Sequence, residues 1–154
     1  IVGYNYGAQK KQRIYQATRY SLIAAAVIMA LGTFLFQLAP QTLLGMFNAS
    51  AEMLEIGIPA LKTISLSFVF AGVSIVLCSI FQALDDGMLS LWVSLGRQLI
   101  LVLPLAWLLS AWGGLNRLWL AFVISEAICM LFSIAMYRRV RVRQIDGLNP
   151  DLEA

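Results

Sequence analysis

The sequence predicts an all-α integral membrane protein whose chain crosses the bilayer four times, and three observations predict it. Hydrophobic residues make up 60% of the 154 and charged residues only 12%, where soluble domains carry roughly a quarter charged; mean hydropathy is +0.81. The apolar residues gather into four runs, each close to or above the roughly 20 helical residues that cross a hydrocarbon core. Eight of the eleven Lys and Arg stand in two clusters, at 10–19 and 138–143, each against the end of an apolar run. That arrangement marks cytoplasmic ends and suits anionic headgroups as neighbours. It does not suit nucleic acid, so no nucleic-acid partner is implied.

The chain opens on Ile1-Val2-Gly3-Tyr4-Asn5-Tyr6-Gly7-Ala8, read as the last turns of a helix, and turns at Gln9-Lys10-Lys11-Gln12-Arg13. Gly3 and Gly7 are four apart, a spacing that lets helices approach closely; with Asn5 they are expected to form a close-packed hinge beside the basic loop. The first span is 20–39, uncharged and ended by Pro40. It is too long for the apolar part of a signal peptide, and no small-residue cleavage site follows.

Residues 40–57 carry Glu52 and Glu55 but no Lys or Arg, as an outer loop does. Ser50 is the expected N-cap of the next helix. The second span, 58–84, holds small residues four apart (Ser67 with Ala71, Ser74 with Cys78, Ser79 with Ala83) and Gly72, a close-packing face. Asp85-Asp86-Gly87 makes the inner turn. The third span, 88–112, contains Arg97, expected as an anchor, and Pro104, expected to bend the helix. The fourth, 118–137, contains Glu126, and residues 144–154 form a polar tail. Trp107, Trp112 and Trp119 are placed as an interfacial belt. Four crossings put both ends on one side, the cytoplasmic one.

Arg97 and Glu126 are the two charges furthest inside apolar sequence, and charges at such depth mark function by default. Taking Trp112 and Trp119 as level, Glu126 lies roughly 10 Å and Arg97 roughly 22 Å below the outer belt at the helical rise. Separate roles are therefore expected: an inner anchor for Arg97, and for Glu126 either a neutral carboxyl bonded to another helix or a proton- or cation-binding group in a cavity. Gln82, Gln98 and Ser125 are polar candidates for the same cavity or for helix–helix hydrogen bonds. Histidine is absent and Cys78 and Cys129 lie in apolar runs, so no Cys/His metal cluster and no disulfide framework is expected. No nucleophile–base pair can be assembled, so no catalytic residue is expected either.

Several stretches carry a family resemblance. Val2-Gly3-Tyr4-Asn5-Tyr6-Gly7-Ala8 with the basic residues after it resembles a loop in the second half of multidrug and toxic compound extrusion (MATE) transporters. Phe81-Gln82-Ala83-Leu84, Ser90, Arg97-Gln98 and Pro104 resemble the hairpin between their tenth and eleventh helices. Gly113-Gly114-Leu115-Asn116, Trp119 and Ser125-Glu126 resemble their twelfth. Asp85 departs from a pattern that usually has glycine there, and Arg117 stands where a small or apolar residue is common. The resemblance implies twelve helices in two six-helix lobes, residues 1–143 being the last four helices and the tip of the one before, with the N-terminal part of the same transporter as partner. It implies a bacterial inner-membrane antiporter exchanging Na⁺ or H⁺ for small organic, often cationic, compounds by alternating access, with no cofactor. The family's better-known coupling carboxylates lie on the first, or the seventh and tenth, helices; the span matching the tenth has no acid, which leaves Glu126. A lipid-linked sugar flippase of the same superfamily, or a non-transporting four-helix scaffold, are the alternatives.

Overall fold

The structure, a computed structural model, describes residues 1–148. A short α1 (Val2–Gly7) leads through a tight turn into α2 (Lys11–Leu38). At 28 residues α2 is about 42 Å long, so its basic first turns project beyond a core of about 30 Å. Pro40, which cannot continue α2, instead opens the short α3 (Pro40–Gly45) at a position where a missing N–H costs nothing.

The second crossing differs from the expected 58–84. It is a broken pair, α4 (Ala51–Ser65) and α5 (Phe68–Ala83), bent by 51°. Ser50 caps α4 as expected, its hydroxyl accepting from the Met53 N–H at 3.3 Å, and Glu52 sits in the first turn. The helix starts earlier than hydropathy suggests because capping and a favourable dipole contact outweigh two carboxylates. At the break, Ser65 and Ser67 turn their hydroxyls onto the carbonyls of Lys62 and Ile64, competing with the backbone ladder. Side chains of α2 take up the freed acceptors: Gln37 Nε2 donates to Lys62 O at 2.7 Å and Thr33 Oγ1 to Ser65 O at 2.8 Å. Irregular backbone at membrane depth is tolerated only when protein groups satisfy it in this way.

The third crossing is α6 (Gly87–Leu95), a π-helical stretch Gly96–Leu101, and α7 (Val102–Leu118). Two residues inside α7 are not helical: Gly113 (φ −159°, ψ 19°) and Gly114 (φ 67°, ψ −160°). Trp119 keeps helical angles (φ −64°, ψ −25°), so Leu115–Leu118 runs on into α8 (Leu120–Val140). The chain therefore reverses at the two glycines, and the fourth crossing begins before the expected residue 118. It also continues past 137, through a second π-helical stretch at Arg141–Ile145.

The core lies at the basic end of the bundle, where Ile14 of α2, Leu77, Phe81 and Leu84 around the end of α5, Val93 of α6 and Cys129 and Val140 of α8 pack together. Gly72 and Ser74 are the small residues of α5 that permit close approach; a Cβ on Gly72 would lie 2.8 Å from Met29 Cγ. Apolar side chains along α2, among them Ile28, Leu31 and Phe34, stay more than 60% exposed, a surface suited to lipid or further helices.

The α5–α6 turn closes with the hydrogen bonds of a Schellman motif, Asp86 N–H to Phe81 O at 2.8 Å and Asp85 N–H to Gln82 O at 3.2 Å. Asp85 occupies its left-handed position, φ 66°, where glycine pays no steric penalty. Asp85→Gly is thus expected to stabilise the protein by about 0.5–1 kcal/mol, read as a higher melting midpoint in detergent.

The polar tail expected at 144–154 does not begin at 144. Ile145 is fully buried, and Asp146 is gripped by three side chains: Tyr15 donates its hydroxyl to Oδ1, Lys11 Nζ lies 3.2 Å from Oδ1, and Arg141 Nε lies 3.3 Å from Oδ2. Arg141 also stacks over the Tyr15 ring at 5.0 Å. The pull of an apolar Ile145 into the core carries the flanking charges with it; the rest of the expected tail, 149–154, lies outside the described residues. Because Lys11 begins α2 and Asp146 follows α8, both basic clusters stand at the same end of the bundle, as an even number of crossings requires.

The hydrogen bond from Tyr15, with those from Lys11, holds the Asp146 carboxyl below its ordinary range. A depressed carboxyl stabilises above its unfolded value, about 3.9, and loses that contribution as pH falls through the folded value. Asp146→Asn is expected to lower the protection of the 141–148 amides against hydrogen exchange at neutral pH, and acidification should lower it in the unmodified chain once the pH dependence of the intrinsic exchange rate is divided out; protection that neither change lowers would show that the clasp holds nothing.

Candidate functional site

Arg97 and Glu126 come together. Arg97 Nη1 lies 3.7 Å from Glu126 Oε2, with the side chains 23% and 13% exposed. This corrects the expectation that their difference in depth keeps the two apart. Trp112 and Trp119 are not level: the chain turns at Gly113–Gly114 and is already descending through Leu115–Trp119. Counted from the glycines, the two residues differ in depth by only about 6 Å, within reach of an arginine side chain.

Pro104 contributes locally. It lacks the N–H that the Ile100 carbonyl would otherwise meet, and the helix widens into i→i+5 turns over Gly96–Leu101 just ahead of it. Arg97 sits in that widened stretch. On the other side, Cys129 donates its thiol to Val93 O at 3.8 Å, fixing α8 against α6 one turn from Glu126. The ion pair is not closed by a hydrogen bond: Arg97 Nε and Glu126 Oε2 are both buried without a hydrogen-bond partner among the described residues. Charge, without a hydrogen bond, is what holds the two side chains together.

A cleft of about 200 Å³ opens beside the pair, between α5 and α6, and Gln82 and Arg97 both line it with Ser74, Cys78, Ser90 and Ser94. Gln82 Nε2 donates to Ser90 Oγ at 2.8 Å across the hairpin. Gln98 is exposed on a different face and lines none of the described cavities. Asn5 is 7% exposed; its Nδ2 donates to Ile1 O at 2.8 Å, and it lines a separate groove of about 830 Å³ between α1, α2 and α5. Of the two hinge glycines only Gly3 is a close-packing position within the described chain, a Cβ there falling 3.1 Å from Ala83 O, while Gly7 faces open space. Alpha1 leans on α5 by one face, which the spacing alone did not reveal.

Ser94 went unnoticed in the sequence. Its signal is the run Ser90, Ser94 on α6 facing Ser74, Cys78, Gln82 on α5, two polar series four apart that meet only when the hairpin closes. Among the described residues no three Asp, Glu, Cys or His side chains converge, so a cation held here would draw on Glu126 and uncharged oxygens.

A four-pass helical assembly with broken helices and a partly buried ion pair is the build of one part of a secondary transporter. The MatE family model matches residues 1–108, and the chain belongs to that family. It is similar to an inward-facing multidrug resistance MATE family transporter of the MOP superfamily, with a TM-score of 0.86 and 19% identity over 95% of this chain and 34% of that one. It is also similar to an outward-facing structure of such a transporter, with a TM-score of 0.82 and 22% identity over 94% of this chain and 33% of the other. The chain thus spans about a third of the solved transporters it matches. No curated protein sequence matches it. The expected fold, family and multi-pass membrane character all hold.

Proposed function

We propose that this chain is the second-lobe portion of an antiporter that exports organic, often cationic, compounds across a bacterial cytoplasmic membrane in exchange for H⁺ or Na⁺, with the basic end inside the cell. Family membership supports the transporter class, and the Arg97–Glu126 pair is the observation that carries the coupling. Ionised, Glu126 is balanced by Arg97. Neutralised by a proton, or turned toward a bound cation, it releases the guanidinium, and the contact of the π-helical stretch with α8 loses its electrostatic tie. The binding of a small cation thereby becomes a change in how two helices hold together, which alternating access requires.

The test uses the full-length protein in proteoliposomes with a quaternary ammonium dye. Dye movement should be driven by an opposing gradient of H⁺ or of Na⁺ and collapse when that gradient is dissipated. Movement that ignores both gradients overturns the antiport reading.

A further inference from the structure

We propose that the cleft between α5 and α6 is a water-filled pathway joining the basic end of the bundle to the Arg97–Glu126 pair. Its lining is arranged in rungs down the hairpin. Gln82 and Ser90, nearest the Asp85-Asp86 turn, form the outer rung and are hydrogen-bonded to each other. Cys78 lies beside Ser90 and Ser94 in the middle, and Ser74 and Arg97 stand at the inner end. From Gln82 to Ser74 the pathway descends roughly 12 Å along α5, starting at the end where both basic clusters lie.

The polar groups left over favour water above an ion of either sign. Ser74 and Ser79 spend their protons on the carbonyls of Phe70 and Ile75 and present lone pairs. Ser90 accepts from Gln82 and keeps its own proton to donate. Arg97 Nε is buried with no acceptor among the described residues. A lining that both donates and accepts, around about 200 Å³, suits several waters at about 30 Å³ each. Ionisable groups at membrane depth characteristically face such cavities. The pathway reaches the pair from its arginine side, so a proton bound for Glu126 arrives past the guanidinium. That role rests on Glu126 being the coupling group; the hydration of the cleft does not.

Cys78 is a native reporter in the wall and Cys129, 3% exposed, an internal control. In full-length protein whose other cysteines are replaced, a membrane-impermeant charged thiol reagent is applied to vesicles of each orientation. Cys78, and a new thiol at Ser94→Cys, should react from the basic side at least about tenfold faster than Cys129, since access controls thiol reactivity. Labelling only from the opposite side, only by a membrane-permeant reagent, or no faster than Cys129 overturns the pathway. Because labelling needs no transport, the two readings fail separately. Fast Cys78 labelling with unchanged export by Glu126→Gln removes the coupling role alone, whereas slow labelling with lost export removes the pathway alone.

Discussion

Glu126→Gln in the full-length transporter is expected to lower export of organic cations roughly tenfold or more, about 1.4 kcal/mol or more in the barrier, and to flatten its dependence on the driving gradient. Glutamine keeps the size and hydrogen-bonding capacity of the side chain but can neither take up nor give up a proton. The charged or titratable groups against Glu126 are Arg97, from the π-helical stretch, and Cys129, on its own helix; neither replaces a missing carboxylate. The substitution also strands a guanidinium that is 23% exposed. Removing one partner of a buried pair costs about 3–5 kcal/mol in closed interiors, so the cost here falls below that range, because the pair is longer than a hydrogen bond and opens onto a polar cleft. Export is therefore read per folded molecule. Unchanged export with an unchanged gradient response would reduce Glu126 to a packing residue.

Gly114→Ala carries the second large effect. At φ 67°, ψ −160° the residue occupies a region that is essentially glycine's alone, and a side chain there costs about 1–3 kcal/mol. The damage extends beyond stability, because this glycine sets the point of reversal that brings Arg97 within reach of Glu126. A lower melting midpoint together with weakened gradient dependence is the expected outcome. Gly113→Ala is the comparison: its φ of −159° is negative, outside the left-handed region that favours glycine, and the three atoms nearest its Cβ all belong to the Arg117 side chain, the closest at 2.0 Å, which can swing aside. Equal midpoints for the two variants would deny Gly114 its special role.

Much of this was legible in the sequence. The long apolar runs marked the crossings, the basic clusters placed both ends together, and Ser50 announced the start of α4. Asp85 was visible as an oddity, and its left-handed backbone explains why glycine is usual there. What stayed hidden depended on contacts between distant segments. The bend between α4 and α5 has no proline at it; two serines loosen the ladder and Gln37 and Thr33 of α2 complete it. The docking of Asp146 needed Tyr15, from the other end of the chain. The tryptophans are poor depth markers for the ion pair, because Trp112 and Trp119 stand on either side of Gly113 and Gly114, where the chain reverses.

The central claim is that Arg97 and Glu126 act as one unit, and a double-mutant cycle on the full-length protein tests it most directly. Unfolding free energies are measured for Arg97→Gln, Glu126→Gln and the double substitution. Residues in contact couple by about 0.5–3 kcal/mol, so the double variant should be clearly more stable than the summed losses allow. Losses that simply add, within about 0.5 kcal/mol, would contradict the pair and the coupling mechanism built on it.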